Sequence, residues 1–337
     1  MRLKLGILLW CTIMRNNALD AAKLLACFFI IFVHVGRFPE LVAPWGETLR
    51  VMARWAVPFF FLASGFTITR IDAESILRRV TKLIAVLFYG SIIYIPILYM
   101  QSRDSIMILI DKFISLNTLH NGAFGHLWFI GSLISGVILF WYARQNLSHK
   151  ASLTISIAIV IMCWMGDVVK SLGYELWFFF TFRYLLGFAL VYIGWCVGTG
   201  KLKFILAYKS AWLVFFLCIF LMGFEYYILL SKFGATHSER QFPLACIPAA
   251  FALICICKNS SMKSNLISEW GVNYSLGIYI IHLFSLYFIS LFLDLYRLNK
   301  YSSLRLVATF TVSLIILMVM KKCTPHAYNK LNGILVK

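Results

Sequence analysis

The feature that most constrains this chain is a series of ten predominantly apolar runs, each about 17–25 residues long. A helix of about 20 residues crosses the ~30 Å hydrocarbon core of a bilayer, and lipid cannot satisfy the backbone of an open sheet edge. The runs cover residues 19–37, 51–69, 82–100, 127–143, 151–169, 176–198, 204–225, 242–257, 271–294 and 304–321. They predict an all-α polytopic membrane protein, a bundle of about ten transmembrane helices.

Composition supports this fold class and excludes others. Hydrophobic residues make up 61% of the chain and charged residues 13%, against about 25% charged in ordinary soluble domains. The net charge of +18 does not indicate a nucleic-acid partner, because the basic residues lie in short gaps between apolar runs and form no soluble basic surface. The main solvent of the chain is therefore lipid.

Lysine and arginine alternate in density between successive gaps, which predicts an orientation. Eighteen of them fall in the tails and the even-numbered gaps, and ten fall in the odd-numbered gaps. By the positive-inside rule both termini are cytoplasmic. The chain then divides into an N-terminal tail (1–18), a transmembrane domain (19–321) and a C-terminal tail (322–337), with Met14 as an alternative start.

The first apolar run carries three ionisable residues, Asp20, Lys23 and His34. Ionisable groups are costly inside a bilayer and are therefore candidates for function. Eleven residues turn a helix by about 1100°, roughly 20° beyond three full turns, so Lys23 and His34 share a face about 16 Å apart along the axis. Asp20 is placed to pair with Lys23. The alternative is a snorkelling lysine, a capping aspartate and a histidine bonded to a carbonyl.

The ninth run carries a second polar track, in which Ser275, Tyr279 and His282 follow each other at helical spacing. A tyrosine near an imidazole can orient it or share a proton relay. Polar contacts that hold helices together are the competing interpretation.

Other candidates lie at the ends of runs or within them. Arg54 begins the second spanning segment near the level of His34, and Arg183 lies among aromatic residues where it needs a partner or water. His126 and Trp128 open the fourth run at the outer interface, where a tryptophan needs no functional explanation. Arg78 with Arg79 is suited to phosphate, although the positive-inside rule alone explains the pair equally well. Most of the nine cysteines are apolar fillers, and no spacing predicts a disulfide or a metal site.

Several separated segments together resemble the integral membrane acyltransferases of acyltransferase family 3. They are the Asp20-to-His34 helix, RWAVPFFFLASGF, RRVTKL, GHLWFI, RYLLGF and SLGIYIIH, in the family's order. Lys23 stands where the family usually has arginine, which keeps the charge but loses the planar fork. The resemblance implies a multi-pass protein of the bacterial cytoplasmic (inner) membrane. It also implies acetyl-CoA or another acyl-CoA as co-substrate, no permanently bound cofactor, and a surface glycan or lipid-linked glycan as acceptor.

Roles follow from this resemblance and the residue chemistry together. His34 is expected to act as general base or acyl relay. The expected catalytic residues are His34, Asp20, Tyr279 and His282; the acyl-CoA-binding residues are Lys23, Arg78 and Arg79; the acceptor-binding residues are Arg54, His126, Trp128 and Arg183. The rival functions are a carrier or flippase for lipid-linked sugars and the other class of membrane O-acyltransferase, which also uses an intramembrane histidine.

Overall fold

The computed structural model describes residues 15–102, 105–174, 176, 179–202, 205–234, 240–298 and 300–334. Every regular element in these ranges is helical. The predicted all-α class is therefore confirmed for the described residues. The predicted N-terminal tail up to Met14, with its alternative start, lies outside them.

Fifteen α-helices follow one another along the described chain, with a short 3-10 turn at Gly125–Leu127. They are α1 (Asn17–His34), α2 (Trp45–Met52), α3 (Ala56–Phe66), α4 (Ala73–Ile93), α5 (Ile95–Gln101), α6 (Ile106–Ile114), α7 (Leu116–Asn121), α8 (Trp128–Asn146), α9 (His149–Ser171), α10 (Phe179–Gly198), α11 (Tyr208–Phe233), α12 (Cys246–Asn259), α13 (Leu266–Leu295), α14 (Ser302–Cys323) and α15 (Pro325–Leu331).

Each of the ten predicted runs coincides with one of these helices or with a pair of them. Seven segments of the described chain are long and apolar enough to cross a membrane, or eight if α4 and α5, bent by 45°, form one span. In the sixth and eighth runs the apolar helical segments of the described residues are shorter, Phe182–Gly198 within α10 and Cys246–Asn259 in α12. Ten spanning helices and cytoplasmic termini stay predictions.

The outer surface of the bundle is apolar, as expected for helices that face lipid. On α11, Leu213 is 71% exposed, Phe216 62% and Phe220 64%. Exposure of such a surface to water is unfavourable, whereas contact with lipid acyl chains is not. The fold is that of a multi-pass membrane protein.

Two close helix crossings form the centre of the bundle. Where α1 crosses α13, a Cβ at Gly271 would overlap the carbonyl oxygen of Asp20, and the Cys27 thiol donates to the Ser275 carbonyl at 3.0 Å. Where α3 crosses α10, a Cβ at Gly65 or Gly194 would overlap backbone of the opposite helix. Small residues at such crossings let membrane helices approach closely. These crossings bring α1, α3, α10 and α13 together around the polar residues.

The segment predicted as a C-terminal tail contains the short helix α15, which packs on the bundle. Tyr328 is buried and its hydroxyl donates to the carbonyl of Asn273 at 2.5 Å. Asn332, just beyond the helix, lines an internal cavity described below. This end of the chain thus contributes to the interior.

Candidate active site

Three histidines from different parts of the chain lie side by side near one end of the bundle. His34 is the last residue of α1, His126 lies in the 3-10 turn and His282 lies within α13. The ring centroids of His34 and His282 are 5.4 Å apart, and those of His282 and His126 are 4.9 Å apart. His282 therefore stands between the other two.

The hydrogen bonds of two of these rings determine which nitrogen carries the proton. His282 Nδ1 lies 2.7 Å from the Tyr279 carbonyl, and His126 Nε2 lies 3.1 Å from the Ile280 carbonyl. A carbonyl only accepts, so the nitrogens facing it are the donors and the others carry lone pairs in the neutral ring. Those other nitrogens, His282 Nε2 and His126 Nδ1, are buried and have no hydrogen-bond partner in the described structure.

Two tyrosines fasten this arrangement. The Tyr94 hydroxyl donates to the Ile280 carbonyl at 2.7 Å, accepts the Phe284 N–H at 3.2 Å and contacts His126 Nε2 at 3.4 Å. The Tyr279 hydroxyl donates to the His126 carbonyl. The 3-10 turn and α13 are thus joined by hydrogen bonds in both directions. Tyr94 was not among the residues singled out from the sequence.

His34 is the exposed member of the three histidines. It lines a cavity of about 260 Å³, which we call the histidine cavity. The polar and aromatic residues around it include Arg50, Arg54, His126, Trp128, Arg183, Gln241 and Tyr279. His282 is fully buried behind this wall. The structure brings together seven residues predicted from the sequence: His34, Arg54, His126, Trp128, Arg183, Tyr279 and His282.

Arg183 has a defined position in this cavity. Its guanidinium lies over the Trp128 ring, 4.3 Å from the centroid, and its Nη1 lies 3.4 Å from the side-chain oxygen of Gln241. Stacking on an aromatic face is favourable for a planar guanidinium and leaves its edge available for hydrogen bonds. The sequence indicated that Arg183 needs a partner within the bundle, but it did not identify Gln241 as that partner.

Arg50, in the gap between the first and second apolar runs, also lines the cavity. Its Nε and Nη2 donate to the Val33 carbonyl at 3.1 and 3.0 Å, and its Nη1 binds Glu47 at 2.9 Å. A carbonyl in the last turn of a helix has no intrahelical partner, so this contact caps α1 beside His34. The i, i+3 spacing of Glu47 and Arg50 is the sequence feature that could have predicted their ion pair.

A buried ion network lies behind Gln241 and Phe242. Asp167 on α9 accepts the backbone N–H groups of both residues at 3.0 Å and pairs with Arg240 Nε at 3.0 Å. Arg240 also pairs with Glu225 on α11 at 2.5 Å. These contacts hold the segment that precedes α12 against the cavity, and sequence reasoning did not find them.

The other predicted residues lie at a different level of the bundle. Lys23 lines a second space of about 330 Å³, the lysine cavity, and its Nζ pairs with Asp20 at 3.1 Å. Asp20 also binds Arg15 Nε at 2.9 Å. Hydrogen bonds to Asp20 and then to Glu269 raise the pKa of Arg15. Asp20 lines neither cavity and lies apart from the histidines.

Tyr279 separates the two cavities, since its side chain lines both. The lysine cavity also shares Ser64, Leu83, Leu276 and Asn332 with a basic cleft of about 660 Å³. Its basic residues are Arg70, Arg78, Arg79 and Lys82. Basic cleft, lysine cavity and histidine cavity therefore follow one another through the protein.

Arg78 and Arg79, predicted as a pair, have different partners in this cleft. Arg78 is exposed and pairs with Glu74 at 3.2 Å. Arg79 donates to the carbonyls of Ser64 and Thr67 at 3.3 Å, which ties α4 to the end of α3. Both residues line the cleft. Over the part of the chain that the structure describes, no three His, Cys, Asp or Glu residues are grouped to hold a metal ion.

Comparison with known proteins gives one family and a few partial relatives. A family model described as an acyltransferase domain matches residues 16–321. An amino-acid racemase of Enterococcus faecalis is 25% identical over 169 residues, covering 47% of this chain and 23% of that protein. A serine/alanine racemase of Enterococcus gallinarum is 23% identical over 164 residues, with 46% and 23% covered. The similarity thus spans about a quarter of these curated relatives, and no solved structure matches the chain.

Proposed function

Since the chain belongs to acyltransferase family 3, whose model matches residues 16–321, we propose that it transfers an acyl group from acyl-CoA to a glycan hydroxyl. The simplest donor is acetyl-CoA. The acceptor is a surface glycan or a lipid-linked glycan, and the protein works in the bacterial inner membrane. Racemase activity is not part of this proposal, because the similarity covers only about a quarter of the racemase chains.

The observation that carries the proposal is the position of His34. It is the exposed histidine of a cavity lined by arginines, and a buried neutral imidazole, His282, lies beside it. The neutral imidazole of His34 can accept a proton from a hydroxyl as a general base. An arginine-lined cavity can also stabilise negative charge that develops on an oxygen.

In the proposed reaction His34 removes the proton of the acceptor hydroxyl as its oxygen attacks the thioester carbonyl. The tetrahedral oxyanion is stabilised by Arg54 or Arg183. It collapses as the carbon–sulfur bond breaks, and the CoA thiolate takes the proton from the His34 imidazolium. In the alternative two-step form, a His34 nitrogen attacks the thioester, the carbon–sulfur bond breaks, and CoA leaves as the thiol with the imidazole proton. The acceptor hydroxyl then attacks the acyl-imidazole, and its proton returns to His34.

The spatial order of the three cavities suggests how the donor reaches His34. The phosphates of CoA would bind in the basic cleft at Arg78 and Arg79, where guanidiniums favour phosphate oxygens. The pantetheine arm would pass Lys23 in the lysine cavity and bring the thioester to Tyr279, at the wall of the histidine cavity. Acceptor would enter the histidine cavity from the opposite end, towards Trp128 and Arg183.

The test is transfer of label from radioactive acetyl-CoA to glycans in membranes that contain the protein. We expect His34→Ala to lower transfer by about 10²–10⁴-fold, the range of a lost general base. His326→Ala is the matched control, because His326 is exposed on α15 and outside all three cavities. Transfer that persists in His34→Ala at the wild-type rate would exclude this role.

A carrier for lipid-linked sugars is the second candidate. It is favoured by one observation: two cavities approach each other from opposite sides of Tyr279, as in proteins that alternate access to a central site. Glycan that crosses the bilayer with no acyl-CoA consumed would support the carrier. Acyl transfer that depends on His34 would support the enzyme.

A further inference from the structure

His282 Nε2 is the most unusual polar atom near the candidate site. The residue has no exposed surface, and Nε2 has no hydrogen-bond partner in the described structure. A buried polar group without a partner costs about 1–3 kcal/mol. Such a buried atom in a membrane protein points to a partner that joins it in another state of the site.

The tautomer of His282 makes Nε2 a hydrogen-bond acceptor. The Nδ1 proton is donated to the Tyr279 carbonyl at 2.7 Å. Nε2 of the neutral ring is therefore a hydrogen-bond acceptor, and its partner must be a donor. The backbone of α13 holds this orientation, since Tyr279 and His282 belong to the same helical turn.

Three rings contact His282, and two of them are excluded by their own bonds. Tyr279, at 5.9 Å between centroids, already donates its hydroxyl proton to the His126 carbonyl. His126, at 4.9 Å between centroids, directs its Nε2 proton to the Ile280 carbonyl and keeps a lone pair on Nδ1. Two lone pairs cannot bond each other. His34, at 5.4 Å between centroids, carries a donor in either neutral tautomer.

We propose that His282 is a positioning residue for His34: its Nε2 accepts the N–H of His34 and thereby fixes the tautomer whose other nitrogen faces the acceptor hydroxyl. The Tyr279 carbonyl, His282 and His34 then form one directed chain of hydrogen bonds. Catalytic hydrogen bonds are often long before substrate binds and shorten in the complex. This inference deepens the proposed function and rests on it.

The logic is that of a base oriented by a second group, with an imidazole in place of the usual carboxylate. A carboxylate at this depth would need its own countercharge, whereas a neutral imidazole does not. In the proposed chain no charge is buried before the reaction begins. The positive charge appears only on His34 as it takes the acceptor proton.

Two isopolar variants separate positioning from packing. In His282→Asn the amide N–H can still donate to the Tyr279 carbonyl, but the side chain provides no acceptor where Nε2 was. In His282→Gln the longer side chain places its amide oxygen near the Nε2 position and can accept from His34. We expect His282→Gln to keep transfer within about tenfold of wild type and His282→Asn to lose about a hundredfold or more, with an unchanged KM for acetyl-CoA.

A second readout does not depend on acyl transfer. Nitrogen NMR of histidine-labelled protein in lipid nanodiscs distinguishes imidazole tautomers, and His34→Gln identifies the His34 signals among the seven histidines. With CoA bound, we expect one His34 tautomer in wild type and His282→Gln, and a mixture in His282→Asn. His326→Gln should leave both readouts unchanged.

The outcomes are distinguishable. Equal transfer by His282→Asn and His282→Gln, or a His34 tautomer that is the same in all variants, overturns the positioning role. If the wild-type protein transfers no label, or His34→Ala transfers as well as wild type, the proposed function fails. The tautomer measurement still decides whether His282 orients His34.

Discussion

At the scale of single residues, the Tyr94 hydroxyl holds together parts of the candidate site that are far apart in the sequence. It joins α4 to α13 through the Ile280 carbonyl and the Phe284 N–H, and it touches His126. The residue has no exposed surface. Removal of the hydroxyl would leave buried polar groups without their partner.

We therefore expect Tyr94→Phe to lower the free energy of unfolding by about 1–3 kcal/mol and to reduce acyl transfer, because the 3-10 turn that carries His126 loses a tether. Circular dichroism during denaturation in mixed micelles measures the first effect, and the labelled acetyl-CoA assay measures the second. Tyr142→Phe is the control, since Tyr142 is 59% exposed on α8. A Tyr94→Phe protein with wild-type stability and transfer would contradict this role.

The residues found from the sequence and those missed differ in how much they depend on the fold. His34 and Arg183 are unusual within an apolar run wherever it packs, so sequence alone identified them. Tyr94 resembles any other aromatic residue of a membrane helix, and its partner Ile280 lies 186 positions away. Arg50 lies in a gap between apolar runs, and its hydrogen bond to the Val33 carbonyl forms only when α2 folds back on α1. Sequence alone therefore gave no reason to select it.

At the scale of elements, the apolar runs predicted the helices well and their interruptions poorly. The single run at 51–69 begins at the last two residues of α2 and covers α3, and the turn between these helices carries Arg54 into the histidine cavity. The bend between α4 and α5 coincides with Pro96, whose missing N–H was a visible signal. Hydropathy averages over such breaks, so it does not place the residues that the breaks carry.

The network of Asp167, Arg240 and Glu225 is an element-scale feature of the same kind. It joins α9 and α11 to the segment that brings Gln241 to the cavity. Asp167→Asn should lower the free energy of unfolding by about 3–5 kcal/mol, because one partner of a buried ion pair is removed. Transfer should fall as well, since Gln241 loses its backbone anchor.

The matched control for this change is Glu74→Gln, which removes an exposed ion pair with Arg78 and should cost about 0–1 kcal/mol. Denaturation in mixed micelles compares the two variants with wild type. Equal stability of Asp167→Asn and Glu74→Gln would show that the buried network does not fasten the segment.

At the scale of the whole molecule, the candidate site has two directions of approach. The basic cleft and the lysine cavity lie on one side of Tyr279, and the histidine cavity lies on the other. The sequence anticipated this as a polar track from Lys23 to His34. It did not anticipate that a tyrosine from the ninth run stands between the cavities, because that requires α13 to pack against α1.

This arrangement has a functional meaning only if the basic cleft opens towards the compartment that contains acyl-CoA. The excess of basic residues in the tails and even-numbered gaps predicts that orientation. Cys323 at the end of α14 is exposed, whereas the other described cysteines are buried, so it can report the side of the C-terminus. In a Cys11→Ser background, a membrane-impermeant maleimide should label Cys323 in inverted vesicles and leave it unlabelled in right-side-out vesicles.

The matched probe for the opposite side is Lys300→Cys, in the exposed connection between α13 and α14, with Cys11 and Cys323 both replaced by serine. It should react in right-side-out vesicles and be protected in inverted ones. Reversal of both patterns would place the basic cleft outside the cell, away from acyl-CoA, and the donor route through Lys23 would fail even if His34 remained essential. Labelling of both cysteines from the same side would show that α14 does not cross the bilayer.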